Sequence, residues 1–372
     1  MKIGIITSPF GPIPPNALGA VEKRWYYIAQ YFVKQNHEVT FYSKKDEGYA
    51  NEKLLKIQPI KGYKRTGNIY LDIILDLIYT IKAYKKLDSC DILIQNTFWS
   101  PIIAQFFKKK FCKTIYNVAR TPRKHFVLYN SVDQFSCVSH PVQKELNKYI
   151  KNKSKGITVH NPIDSDIFKF SQREIPQIGR PIIIGYHGRV HPEKGLDILC
   201  KAVENVSKKY KLKLKIIGPY EKTQGGGGQT YVDQLKNLCP HVDLEFVGGV
   251  SSQSKLNSLL QTCHLYCYPS VASGETFGVS PVEAMSTGLP VIVSDLECFK
   301  DFISHEKTGY IFNHRSENAD SELSNIIEDI ISHYDKASEI GRNAFLEAKK
   351  FTVENIANKY LYNFHKLLAN SK

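Results

Sequence analysis

No run of apolar residues in this 372-residue chain is long enough to cross a bilayer. The nearest approach, IYLDIILDLIYTI at 69–81, is interrupted by Asp72 and Asp76 and reads as an amphipathic or buried helix. The opening MKIGIITSPFGPIPP carries one lysine, and its apolar stretch is broken by Pro9, Gly11 and Pro12. That is too short for the core of a secretory leader, and a first buried strand is expected there. The 8 cysteines lack the spacing of a disulfide or zinc framework: Cys263 and Cys267 form no CxxC, and no second pair follows. Free, mostly buried thiols in a reducing cytoplasm are expected instead.

Other signatures are missing too. No G-x-G-x-x-G follows the first strand, which disfavours a dinucleotide dehydrogenase, and the basic residues come with no nucleic-acid-binding motif. Gly225–Gly228 lack the Lys-Ser/Thr of a P-loop and read as a floppy connector between a strand and a helix. The second half also lacks net charge. Residues 1–170 hold 27 Lys+Arg against 13 Asp+Glu, leaving 23 against 23 for 171–372, so the whole excess of +14 lies in the first half. With clusters at Lys108–Lys110 and Lys113, and at Arg120, Arg123 and Lys124, this asymmetry favours an anionic partner for that half.

What is present is a globular composition, 42% hydrophobic and 23% charged. Short β-branched runs alternate with helical patterns. KIGIITS, HEVTFYS, DILIQN, KTIYNVA, QFSCVSH and GITVHNP come first; PIIIGYHGR, LKLKIIG, VDLEFVGG, HLYCYPS, LPVIVSD and TGYIFN follow. Near-continuous apolar strands separated by helices predict parallel sheets covered on both faces. The pattern pauses near 165–180 and restarts, predicting two doubly wound α/β domains. Ligands of such sheets bind beyond the carboxyl ends of the strands, so two domains facing each other would form a cleft there. The last segment is predicted to be an amphipathic helix, with Thr352 as N-cap and Glu354 in its first turn.

Two stretches carry chemistry. In SGETFGVSPVEAM, 273–285, Ser280 and Pro281 read as N-cap and first residue of a helix, with Glu283 completing a capping box. Glu275 lies in the glycine-bearing loop ahead, where no capping need explains it. Backbone N–H groups at a helix start suit a phosphate, and carboxylates on either side suit sugar hydroxyls. The shape implied is a sugar nucleotide. In GYHGRVHPEKGLD, Arg189 and Lys194 flank a proline turn, and Gly185, Gly188 and Gly195 let backbone approach a ligand. A guanidinium fork and an ammonium both suit a diphosphate that gains charge as its bond to a sugar breaks.

G-R-x-x-x-E-K-G at Gly188–Gly195 and E-x7-E at Glu275–Glu283 resemble the donor-site motifs of family 4 retaining glycosyltransferases, which have the GT-B fold. The likeness covers nearly the whole chain. PPNALGAVE at Pro14–Glu22 resembles the family's Pro-Pro…Gly-Gly-x-Glu loop with Ala20 for the second glycine. NHEVTFYS resembles its Gly-His-Glu-Val strand with Asn36 for glycine, and VHNPID its Asn-Gly-Val-Asp with Pro162 for glycine. The resemblance implies an acceptor-binding Rossmann-like domain at 1–168, a donor-binding one at 169–350 and a helix in 351–372 that crosses back to the first domain. It implies that Arg189 and Lys194 hold the diphosphate and that Glu275 contacts the donor sugar. Gly188 and the backbone of Thr276, Phe277, Gly278 and Val279 would face the phosphates, and Glu283 the ribose. Gly19 would face the diphosphate or acceptor, and Val250 the base.

The family's first-domain histidine has no counterpart. Asn117, Ala119 or Arg120 occupies its place depending on alignment, and Arg120 is a candidate for acceptor or phosphate contact. Asp164 and Asp166 spell DxD at the domain junction, but in this fold Arg and Lys position the diphosphate, so no metal or other cofactor is expected. The implied reaction moves a sugar, most simply from a uridine-linked donor, to a hydroxyl acceptor with retention. A lipid-linked or glycan acceptor of envelope polysaccharide assembly fits the basic first half, with the protein at the cytoplasmic face of an anionic membrane. Rival readings are a sugar-nucleotide 2-epimerase of the same fold and a non-catalytic nucleotide-sugar-binding subunit.

Overall fold

The computed structural model describes residues 1–14, 20–46, 52–173 and 179–369. These fall into two compact units, Met1–Pro162 with Val353–Lys372, and Ile163–Thr352. The first unit runs β1 (Lys2–Ile6), α1 (Ala20–Lys34), β2 (Glu38–Lys44), β3 (Lys56–Ile60), α2 (Ile69–Lys86), β4 (Cys90–Gln95), α3 (Ser100–Ile103), β5 (Phe111–Val118), β6 (Gln134–Cys137), α4 (His140–Leu146) and β7 (Gly156–Thr158). The second runs β8 (Ile182–His187), α5 (Leu196–Ser207), β9 (Leu212–Ile217), α6 (Gln229–Leu238), β10 (Asp243–Gly248), α7 (Gln253–Gln261), β11 (Leu265–Tyr268), α8 (Val279–Ser286), β12 (Val291–Ser294), β13 (Tyr310–Phe312), α9 (Ala319–Ser332) and α10 (Tyr334–Ala348). A last helix, α11 (Val353–Ala369), belongs to the first unit.

Each unit holds one parallel sheet, ordered β3-β2-β1-β4-β5-β6-β7 in the first and β10-β9-β8-β11-β12-β13 in the second. Strand order reverses between β1 and β4 and again between β8 and β11, the switch points at which doubly wound sheets bind ligands. The central strands read as continuous apolar runs because helices cover both faces. Ile3 and Ile5 of β1 are buried, as are Ile92 and Ile94 of β4. On α1, Trp25, Ile28, Ala29 and Phe32 repeat at helical spacing and all are buried. Against this face lies α11, with Trp25 and Tyr360 rings 5.1 Å apart and Phe32 and Phe364 5.7 Å apart. Asn36, where the resemblance expects glycine, turns the chain into β2 with φ 61, a left-handed conformation that asparagine tolerates.

Two features differ from the sequence reading. β3 was not anticipated. It contains Pro59, and it is the edge strand of its sheet, the place where a missing N–H is tolerated. The units divide at Pro162 rather than at 168. The Ile163 N–H donates to the Phe351 carbonyl at 2.8 Å and Phe168 is buried, tying 163–168 into the second unit.

Candidate active site

β8 and β11 pair side by side at the switch point of the second sheet, with Leu265 opposite Ile184 and Tyr266 opposite Gly185. Their carboxyl ends deliver both sequence motifs. Past β8, Gly188 donates its N–H to the Ile217 carbonyl at 2.9 Å, and Arg189 follows. His191 then caps a short turn, Pro192–Lys194, by accepting the Glu193 N–H at its Nδ1, 3.3 Å away. Gly195 closes the turn at φ 65, where a Cβ would lie 2.1 Å from the Pro269 carbonyl oxygen. Only glycine lets the exit of β11 pass this close. The Val271 N–H donates to the Glu193 carbonyl at 3.0 Å, locking the two loops together.

Lys194 and Glu275 meet there. Nζ lies 2.8 Å from Oε2, with side-chain exposures of 10% and 15%. Tyr268 donates its hydroxyl to the same oxygen at 3.1 Å, and the ammonium sits 5.4 Å from the Tyr268 ring centre. Tyr186 stacks beneath at 5.7 Å, 10° from parallel. Burial, and then the Glu275 carboxylate, push the Tyr268 phenol well above its ordinary range, so it stays a donor. Arg189 is more exposed. Its guanidinium donates to Glu193 Oε1 at 2.6 Å and to the Gly225 carbonyl at 2.9 Å.

That second bond corrects the reading of the four glycines as a floppy connector. Gly226 donates to the Glu221 carbonyl, Gly227 to Val190 and Gly228 to Tyr220, at 2.9, 2.8 and 2.7 Å. The glycines let the loop fold back on itself and onto the Arg189 segment.

The capping-box reading of Glu283 is also corrected. α8 is capped by Gly278 at φ 84, ψ 78, so Ser280 and Pro281 lie inside the helix and make no side-chain cap. Glu283 instead takes His187, Nε2 to Oε2 2.8 Å. Phe277 is buried against the rings of Phe302 and Phe351, at 5.3 and 5.7 Å, and pins the loop whose neighbours Thr276 and Val279 stay half-buried. The structure thus gathers Gly188, Arg189, Lys194, Glu275, 276–279 and Glu283 at the ends of two adjacent strands. Half-buried Val250 follows β10, at the same edge of the sheet but two strands from β8. Asp164 accepts the Asp166 N–H at 3.0 Å, which accounts for one carboxylate of the DxD pair as a turn former. Gly19 lies outside the described residues.

In the first unit, Asn117 is buried in a network centred on Arg24. The guanidinium donates to Asn117 and Asn161, each at 3.1 Å, to the Val159 carbonyl at 2.8 Å, and to the Tyr360 hydroxyl. Burial lowers the Arg24 pKa. Asn117 also donates to Asn96 at 2.9 Å. Arg120 is exposed beyond the end of β5, with Arg123 and Lys124 exposed close behind it. Sequence reasoning missed His187 and Tyr268 as parts of the site and gave Glu193 no role beyond its place in the motif. The available signal was position: His187 and Tyr268 each end a strand whose following loop carries a motif.

Two Rossmann-like units, the second with paired cations and carboxylates at its switch point, define the GT-B architecture. Residues 21–167 match the family model Glycosyltransferase Family 4, and residues 168–346 match Glycosyl transferases group 1. The chain belongs to the family 4 glycosyltransferases. Phosphatidyl-myo-inositol mannosyltransferase of Mycobacterium tuberculosis is 30% identical over 162 residues, 42% of this chain and 40% of the relative. The match thus spans well under half of that relative's length. The fold is shared with Anabaena HepE in complex with UDP and glucose, with TM-score 0.74 and 19% identity over 98% of this chain and 100% of that one. It is shared also with sucrose-phosphate synthase of Thermosynechococcus elongatus, TM-score 0.80 and 16% identity over 100% of both.

Proposed function

We propose that this chain transfers a sugar from a nucleoside-diphosphate sugar to a hydroxyl acceptor, with retention at the anomeric carbon. The observation that carries this reading is the convergence of Arg189, Lys194 and Glu275 at the carboxyl ends of β8 and β11, the switch point of the sheet. In this reading Arg189 and Lys194 exchange part of their carboxylate pairing for the donor diphosphate and stabilise the charge it gains on leaving. Glu275 orients the donor sugar. Its Oε2 already accepts from Lys194 and Tyr268, which suits a hydrogen-bonding role better than attack on carbon. The departing diphosphate takes the acceptor's proton. Glu283, steadied by His187, holds the ribose. The two cations supply the charge a metal would otherwise provide, so turnover is expected to survive chelator.

The donor proposed is uridine-linked, UDP being the nucleotide named with HepE, which shares the fold. The acceptor proposed is a lipid-linked or glycan hydroxyl in envelope polysaccharide assembly, reached at the cytoplasmic membrane face and contacted by Arg120. The test is to incubate the purified chain with a panel of donors and hydroxyl acceptors, following nucleoside diphosphate release and the anomeric configuration of the product. Acceptor-dependent release with retained configuration is expected. An altered sugar nucleotide formed from donor alone would show an epimerase. Binding of donor without release, whatever the acceptor, would show a non-catalytic subunit.

A further inference from the structure

Among the described residues, large apolar side chains left in solvent concentrate on the first half of α2. Ile69 is 64% exposed, Tyr70 78% and Ile74 55%, with Leu71 and Ile78 close behind. Tyr70, Ile74 and Ile78 are four residues apart and form one stripe along the helix. The second half of the same helix packs inward through Tyr79, Thr80, Ala83 and Tyr84. A second exposed apolar pair, Val127 and Leu128 (58% exposed), ends the short turn Lys124–Leu128 that follows β5.

One pair of rings joins the two pieces. Trp99 donates its indole N–H to the Ile73 carbonyl at 2.9 Å. Its neighbour Phe98 lies 5.0 Å from the His125 ring and gives its carbonyl to the Tyr129 hydroxyl at 2.6 Å. The sheet is parallel, and α2 follows β3, Phe98–Trp99 follow β4 and the turn follows β5, so all lie at its carboxyl edge.

The charge around this rim has one prevailing sign. Lys64 and Arg65 are exposed on the approach to α2, and Arg120, Arg123 and Lys124 on the approach to the turn. Of the two acids on the first half of α2, Asp72 is engaged by the backbone N–H and hydroxyl of Thr66, at 3.0 and 2.9 Å, and Asp76 is buried.

We infer that this rim docks on an anionic lipid bilayer. No helix among the described residues is long and apolar enough to cross a membrane, so α2 would lie in the interface. An isoleucine stripe edged by Tyr70 and Trp99 and ringed by lysine and arginine suits that depth. The inference rests on the reading that the acceptor is lipid-linked, since docking would bring the sheet's carboxyl edge to the membrane surface.

The full chain is floated with vesicles of phosphatidylcholine alone and of phosphatidylcholine with phosphatidylglycerol, at low and high salt. Binding to the anionic vesicles, weakened by salt, is expected. Ile74→Asp with Ile78→Asp should cut the bound fraction on the order of tenfold. Lys64→Gln and Arg65→Gln should each weaken partitioning about fivefold at low salt. Light scattering and uridine diphosphate binding are recorded on every variant. Unchanged nucleotide binding with lost flotation supports the docking surface. Wild-type protein that ignores anionic vesicles, variants that float as well as wild type, or a dimer dispersed by the isoleucine changes would overturn it. Failure of the wild-type protein to bind the nucleotide would strike the donor reading instead.

Discussion

Arg189 and Lys194 sit at one site but in different settings, and the difference decides what each substitution should do. Lys194 is buried against Glu275 and over Tyr268, whereas Arg189 reaches outward to Glu193 and Gly225. Alanine at either position removes one preorganised charge and should lower turnover by on the order of 10²–10³. Lys194→Ala should in addition reduce thermal stability, because it strands the Glu275 carboxylate, while Arg189→Ala should not. Turnover and melting temperature measured together separate the two; equal activity to wild type in both variants would remove the site assignment.

A second residue-scale expectation concerns Asp76. Burial is the leading cause that raises its carboxyl from the ordinary 3.8 to about 6, against the hydrogen bonds from Trp99 and Thr80. The folded chain therefore holds a proton there more tightly than the unfolded chain does. The resulting stability is fully present below about pH 3.8 and is lost as pH rises through about 6. Asp76→Asn keeps an acceptor for the Trp99 N–H without the charge. It should raise stability at pH 7.5 by up to about 3 kcal/mol, two pH units at 1.36 kcal/mol each. It should also flatten the pH dependence between 4 and 6. Superimposable melting profiles for variant and wild type would show that Asp76 is solvated after all.

At the scale of elements, alternation of apolar strands with amphipathic helices was enough to place both sheets, because strands buried on both faces have few other ways to be written. Turn and cap chemistry was less legible. Ser-Pro-x-Glu has the signature of a capped helix start, yet α8 begins earlier, at a glycine whose φ of 84 no sequence pattern announces. Four glycines in a row look slack by composition, and only the Arg189 and Val190 partners show what closes them down. Arg189, Lys194 and Glu275 were readable because their motifs end strands. Their partners Tyr268 and His187 were not, because an aromatic or histidine in a buried strand is ordinarily core.

Gly278 gives this scale its prediction. A Cβ there would lie 2.6 Å from the Phe299 ring and would hold a side chain at positive φ. Gly278→Ala should cost about 1–3 kcal/mol of stability. It should also raise the KM for donor by displacing the backbone of 276–279. Calorimetry and donor titration check it, and a variant with wild-type values for both would show the loop to be more forgiving than its geometry.

At the scale of the whole chain, the +14 excess belongs to residues 1–170, while the paired donor-site residues lie in the neutral remainder. Ionic strength should therefore act unevenly. Raising salt should weaken vesicle binding steeply and nucleotide binding only modestly, because screening acts most on exposed charges and least on a buried pair such as Lys194–Glu275. Parallel salt titrations of flotation and uridine diphosphate affinity check this, and equal slopes would contradict it.

The polar network around Arg24 joins residues far apart in sequence: Tyr360 on α11 receives the guanidinium and exchanges a hydrogen bond with Ser136 at 2.5 Å. On the ribosome, then, α1 waits for α11, which is made long after it. Until α11 emerges, Trp25 and Phe32 lack part of their cover and Arg24 lacks a partner, whereas Ile163–Thr352 is already a continuous segment. A chain released prematurely at 352 should keep a folded second unit and a sticky, protease-sensitive first one.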